Sequence, residues 1–338
     1  MPTSPLELTR AQILAFRRRA GALDERLPRG ARSLRQAAWA GLTDSVPRSA
    51  LLSIHARVEG TQATTWKDRS LVHVWGPRYS TYLVPARDRA IFTLGRLPDA
   101  PHRRRRAEDM AARLDAFLAG RRLKDNQAQR ELGVGNGIKY ATTTGTVLIR
   151  WEGAKAPEIW TVPRPEVDPH EARKELARRY LHVFGTATPD AFSIWAGVGG
   201  GEARATFDAL SASLIAVRAP IGDGWILAGD EPAFRAPPGP DAAARLLPSG
   251  DAYFLLWGAD RELLVPDAAQ RTELWTSRVW PGAVLVGGEI VGTWRRAQAD
   301  LSVQLWRRLT RVERDAVDAE AHSLPLPGIE REIAVRWS

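Results

Sequence analysis

The sequence has 338 residues and not one cysteine. Disulfides, thiolate zinc sites and a cysteine nucleophile are thereby excluded. Histidine is scarce: there are six, none in the His-Glu-x-x-His spacing that a helical zinc site needs, so no metal is expected. No run approaches the ~18 apolar residues that would span a bilayer. Met1-Pro2-Thr3-Ser4-Pro5 leads into a polar, basic helix pattern without the apolar core of a signal peptide. A cytoplasmic monomer with no membrane association is expected. Gly199-Gly200-Gly201 is followed by Glu202 and lacks the Lys-Ser/Thr of a phosphate loop, so no cofactor is expected either.

Acidic residues are also in deficit. The 39 Asp and Glu fall short of the 48 Lys and Arg, leaving a net charge of +9. The deficit is lopsided. Residues 1–167 hold 29 Lys and Arg against 16 Asp and Glu, a net +13, whereas residues 168–338 hold 19 against 23, a net −4. An arginine-rich composition explains much of the total but not the asymmetry, which points to a polyphosphate partner for the first half. Thirteen tryptophans and 44% hydrophobic residues supply material for packed cores.

The order of elements repeats about every 80 residues. Thr9 with Gln12 forms a capping-box pattern ahead of Ile13, Leu14 and Phe16. A short helix near Ser33–Ala40 stops at Gly41, and a third begins around Pro47 and carries Leu51, Leu52 and His55. Leu71–Trp75 and Tyr79–Val84 then make a hairpin around Gly76-Pro77-Arg78. Three helices closed by a hairpin is the winged-helix order. A second round contains helices at Ala107–Leu118 and Asp125–Leu132 and a hairpin of 147–151 with 158–162. A third contains Glu171–Phe184, Ala191–Ala196, Gly201–Leu210 and a hairpin across Ile221-Gly222-Asp223. Residues 232–240 read as a linker. The tail reads as β-rich, with strands at 253–257, 283–286, 289–294 and 329–337 and an amphipathic helix through Leu301, Leu305, Leu309 and Val312. The expected class is α+β: three tandem winged-helix domains at 1–100, 101–167 and 168–231, then a β-rich module at 241–338.

Three segments carry a resemblance. They are Leu181-His182-Val183-Phe184-Gly185-Thr186-Ala187-Thr188-Pro189, then Leu246-Leu247-Pro248 with Asp251, Tyr253, Gly258 and Arg261, and finally Gly287-Gly288-Glu289-Ile290-Val291-Gly292-Thr293-Trp294-Arg295. In combination they resemble the AlkZ-like winged-helix DNA-binding proteins, from about Leu8 to Trp337. The resemblance implies three winged helices, a barrel-like C-terminal module, double-stranded DNA as partner, and a DNA glycosylase activity on bulky alkylated purines and interstrand crosslinks. It also implies a Gln–aliphatic–Gln motif directly after a Gly-Leu pair. Gly41-Leu42 is present here, but Thr43, Asp44 and Ser45 follow it.

Two readings of that segment stand side by side. Cleaving an N-glycosidic bond to a cationic base needs a group that aims water and stabilises the sugar cation. Asp44 could be a displaced general base, with Thr43 and Ser45 holding the water. Alternatively, Thr, Asp and Ser ahead of Pro47 are helix-capping residues, and the chain is a non-catalytic winged-helix DNA-binding protein, a damage sensor or transcription regulator. For DNA contacts the candidates are Arg17, Arg18, Arg48, Arg78, Tyr79, Arg103, Arg104, Arg105 and Lys139. Arg78 stands where the family has an arginine in the first hairpin. The Arg103–Arg106 run either grips phosphate or is a solvated helix start. His55 and His73 read as structural.

Overall fold

A computed structural model describes residues 5–46, 48–153, 155–237, 243–329 and 331–338. Pro47, the expected start of the third helix, and residues 238–240 of the expected linker lie outside them. The fold is mixed α+β, with three sheets among the described residues.

The N-terminal part runs β1 (Leu6–Glu7), α1 (Arg10–Ala20), α2 (Ala31–Ala37), β2 (Leu42–Thr43), α3 (Ser49–His55), β3 (Leu71–Trp75), β4 (Thr81–Pro85) and α4 (Arg89–Thr93). The Thr9–Gln12 capping box at α1 is present. Gly41 follows the second helix with φ +80°, and any Cβ there would strike the rings of Phe92 and Tyr82, so only glycine fits. Next come α5 (Pro101–Leu118), β5 (Leu123–Lys124), α6 (Asp125–Leu132), α7 (Ile138–Ala141), β6 (Val147–Arg150) and β7 (Glu158–Thr161). The first two hairpins do not remain separate. They merge into one six-stranded sheet of order β2-β4-β3-β6-β7-β5, joined by antiparallel pairing at His73 and Ile149.

The third set is α8 (Pro169–Phe184), α9 (Pro189–Ala196), α10 (Gly200–Leu210), β8 (Leu214–Ala219), β9 (Gly222–Leu227) and α11 (Glu231–Arg235). Asp168 and Thr188 cap α8 and α9, each with proline at the first helical position, where no N–H is needed. The N-terminal strand β1 crosses the molecule to pair in parallel with β8. Helix α1 goes with it: Phe16 stacks on Phe234 of α11 with ring centroids 3.8 Å apart.

The C-terminal part contains β10 (Arg245–Leu247), α12 (Ala259–Leu264), α13 (Ala268–Leu274), β11 (Gly282–Val286), β12 (Glu289–Ala297), β13 (Asp300–Leu305), α14 (Arg311–His322) and β14 (Ala334–Trp337). Its five strands lie in the order β10-β11-β12-β13-β14. Here the expectations need correction. The sheet is open, with β10 and β14 as its edges, and is not a barrel. Residues 253–257 form no strand, because Tyr253 sits in a helical turn capped by Asp251. Leu301 and Leu305 lie on β13, where alternate residues are buried, and the helix starts only at Arg311, behind a Thr310–Glu313 capping box. The supposed linker begins as helix α11, whose Phe234 is fully buried.

Candidate functional site

The segment after Gly41-Leu42 is held from three sides. Thr43 ends β2, and its Oγ1 donates to the Gly250 carbonyl at 2.7 Å, tying it to the C-terminal part. Asp44 is only 1% exposed. Its Oδ1 accepts from the Ala50 N–H at 3.1 Å, in the first turn of α3. Its Oδ2 lies 3.1 Å from His73 Nε2 and 3.5 Å from Arg48 Nη1. Ser49 Oγ donates to the Thr43 carbonyl. Ser45 alone is exposed. The three residues therefore do not converge on a common space: Thr43 and Asp44 face inward in different directions and Ser45 faces solvent.

Arg48 serves this segment. Its guanidinium lies 3.8 Å from the centre of the Trp66 ring, and its Nη2 donates to the Trp151 carbonyl in the second hairpin's loop at 2.6 Å. Burial lowers its pKa, against the pull of Asp44. The expectation that Arg48 meets DNA gives way to an internal bridge between the first two hairpins. Arg17 and Arg18 need the same correction. Arg17 is 2% exposed, pairs with Asp260 at 2.6 Å and donates to the Gly185 carbonyl. Arg18 is 7% exposed, pairs with Asp24 and donates to the Gly288 carbonyl. Both fasten α1 to the rest of the fold and leave little guanidinium for solvent.

The remaining candidates lie at the surface. Arg78 and Tyr79 form the tight turn between β3 and β4, both with φ near +55°, a conformation non-glycine residues seldom adopt. Arg78 is exposed and lies 4.2 Å above the Trp257 ring. Tyr79 packs edge-on against Tyr140 of α7 at 5.7 Å, with Arg96 over its ring. Arg106 covers Tyr140 at 4.1 Å. Burial raises the Tyr79 pKa, while nearby Arg96, Arg106 and Arg103 pull it back down. Burial in turn lowers the Arg96 pKa to about 10. Arg103 and Arg105 are exposed at the start of α5, and Arg104 is paired with Glu108. Lys139 lies 5.7 Å from the Trp75 ring centre. The first turn, α7 and the start of α5 thus converge in one basic, aromatic cluster.

Tyr140, Arg96, Trp257 and His73 were not among the candidates. Tyr140 directly follows the candidate Lys139, which was the available signal for it. Nothing local marks Trp257, which meets Arg78 only through the tertiary fold. Among the described residues no group of three or more His, Asp or Glu could hold a metal ion, and no helix is long and apolar enough to cross a membrane.

These features, helix sets each followed by a hairpin with a basic aromatic cluster at one turn, define an α+β protein. The sequence profile of the DNA glycosylase AlkZ-like family matches residues 36–325, and the chain belongs to that family. Among solved structures, the Streptomyces sahachiroi DNA glycosylase AlkZ superposes with a TM-score of 0.79 at 19% identity, covering 98% of this chain and 100% of that one. At that identity the match speaks for the fold. No curated protein matches the sequence.

Proposed function

We propose that this protein binds double-stranded DNA through the cluster around Arg78, Tyr79, Arg103, Arg105, Arg106, Lys139 and Tyr140, on a scaffold of three tandem winged helices followed by a β-rich module. Guanidinium and ammonium groups beside half-buried aromatic rings suit phosphate contacts flanking a groove or an unstacked base. Membership of the glycosylase family supports a role in DNA repair.

In this reading Asp44 is a structural residue. A general base has to reach a water and the reacting carbon. The Asp44 carboxylate is 1% exposed and already meets the Ala50 N–H, His73 and Arg48, so it caps α3 and ties it to the first hairpin. That enclosure is the observation that carries the conclusion. A second reading, hydrolysis of the N-glycosidic bond of an alkylated purine, draws on the family match, which spans Gly41–Ser45.

Single-turnover excision from a duplex carrying an N7-alkylated guanine separates the two. The expected result is duplex affinity that falls steeply between low and moderate salt, weakens in Arg78→Ala, and is accompanied by no excision that depends on Asp44. Loss of a measurable wild-type excision rate in Asp44→Asn, with duplex affinity and melting temperature unchanged, would overturn the structural assignment.

A further inference from the structure

A cavity of about 220 Å³ lies between the third hairpin, α8–α9 and the segment entering α12. It is apart from the basic cluster in character. In a chain with 48 Lys and Arg, its described lining contains two carboxylates, Asp223 and Asp260, and no lysine or arginine. Its walls are mostly apolar, with Trp257 on one side and Ile194, 51% exposed, at the rim. An exposed isoleucine on a wall shared with an indole is apolar surface that water does not favour.

Three details define what would fit. Arg78 stacks on Trp257 and holds the plane of the indole. The Asp260 side chain is 15% exposed; its Oδ1 takes the Arg17 hydrogen bond, and its Oδ2 receives no donor from the described residues. The Tyr180 hydroxyl, whose pKa burial raises and Asp260 raises further, stays protonated at the cavity wall. Arg17 and Arg78 touch Asp260 and Trp257 but neither lines the cavity, which leaves an aromatic wall and a carboxylate oxygen still free to accept, the elements of a cation–π site. Asp223 is paired with Arg218 and Asp260 with Arg17, so the described lining leaves no cation to hold a phosphate. The volume is below the ~300–1,000 Å³ of sites for drug-sized ligands, so the ligand is small.

We infer that this cavity is a binding site for a small, flat heteroaromatic cation, stacked along Trp257 with its charge toward Asp260. The inference stands on the cavity's own chemistry and does not depend on DNA binding or excision.

The test is calorimetric titration of the full-length protein with N-methylquinolinium and, in parallel, with neutral quinoline. Saturable one-to-one binding is expected for the cation, with quinoline weaker by about tenfold. Trp257→Ala should weaken the cation by about tenfold, and Ile194→Arg, which places a positive charge at an exposed rim position, should abolish binding without disturbing the core. Asp260→Asn should reduce the preference for cation over neutral ring. Because that change also removes a partner of buried Arg17, its melting temperature is measured beside it, and Ile194→Arg carries the test if it unfolds. Equal affinity for both ligands, no saturable binding, or unchanged affinity in Trp257→Ala and Ile194→Arg would each overturn the assignment.

Discussion

Replacing Asp251 by alanine is expected to be among the most damaging single changes in this protein. Its side chain is fully enclosed, 0% exposed, and accepts four hydrogen bonds. Arg57 Nη1 and Nη2 each approach to 2.7 Å, Ser53 Oγ to 2.6 Å and the Tyr253 N–H to 2.9 Å. Arg57 is itself 3% exposed, so alanine at 251 strands a guanidinium where water cannot reach it. Removing one partner of such a pair costs about 3–5 kcal/mol. Replacing both partners by apolar groups of similar size costs much less, because no buried charge is left over. Asp251→Leu with Arg57→Met should therefore recover most of the loss, and the deficit that remains belongs to Ser53 and the Tyr253 N–H, about 1 kcal/mol each. Urea unfolding of wild type, both single variants and the double variant gives the coupling directly. The damage should also reach the Thr43 segment, because the neighbouring Gly250 carbonyl holds Thr43 Oγ1. Amide exchange at Leu42 and Thr43 should accelerate in Asp251→Ala. A single-variant loss under about 1 kcal/mol, or a double variant no better than the single, would refute this account of the network.

Two further outcomes are expected. His55 is buried beside Arg26 and Arg245, and burial first, then those cations, depress its pKa from 6.5 to about 3. A histidine that must stay neutral to fold contributes its full stability above pH 6.5 and loses it as pH falls toward 3, by up to about 1.4 kcal/mol per pH unit; urea unfolding at stepped pH should show that slope in wild type and a shallower one in His55→Asn. At Gly282 an added methyl would collide with the Trp294 indole nitrogen and the Leu247 carbonyl, which are hydrogen-bonded to each other at 2.9 Å. Gly282→Ala should cost about 1–3 kcal/mol and shift Trp294 fluorescence, and an unchanged melting temperature would contradict the packing described.

What could be read from the sequence was local. The cap at Thr9 and the ends of α6 at Leu132 and of α8 at Phe184 follow from backbone chemistry within a few residues, and the structure contains them. The three hairpins announce themselves by alternation and turn residues in the same way. What failed was of two kinds. Where alternation and helical spacing coincide, as in Leu301–Leu305, a period of four fits both a helix and every second residue of a strand, and only the partner strands β12 and β14 decide. Charge was the other failure. Arg17, Arg18 and Arg48 look in sequence like Arg103 and Arg105, yet the first three are enclosed by partners from 4 to 270 residues away and the last two are not.

The same argument reaches the family's site. A Gln–aliphatic–Gln segment presents amide groups to a substrate, whereas a carboxylate in the middle position has to find donors or stay in water. In this chain Asp44 finds them in the first turn of α3, in His73 and in Arg48. His73 is also the residue whose backbone pairs with Ile149 to join the first two hairpins into one sheet. Arg48 reaches the second hairpin's loop through the Trp151 carbonyl. A change at one position thus draws the segment inward and ties it to the junction between the first two helix–hairpin sets. Restoring the family's pattern with Thr43→Gln, Asp44→Leu and Ser45→Gln would have to replace those ties before it could present a catalytic amide. The substitution should therefore lower stability even if it created an active site.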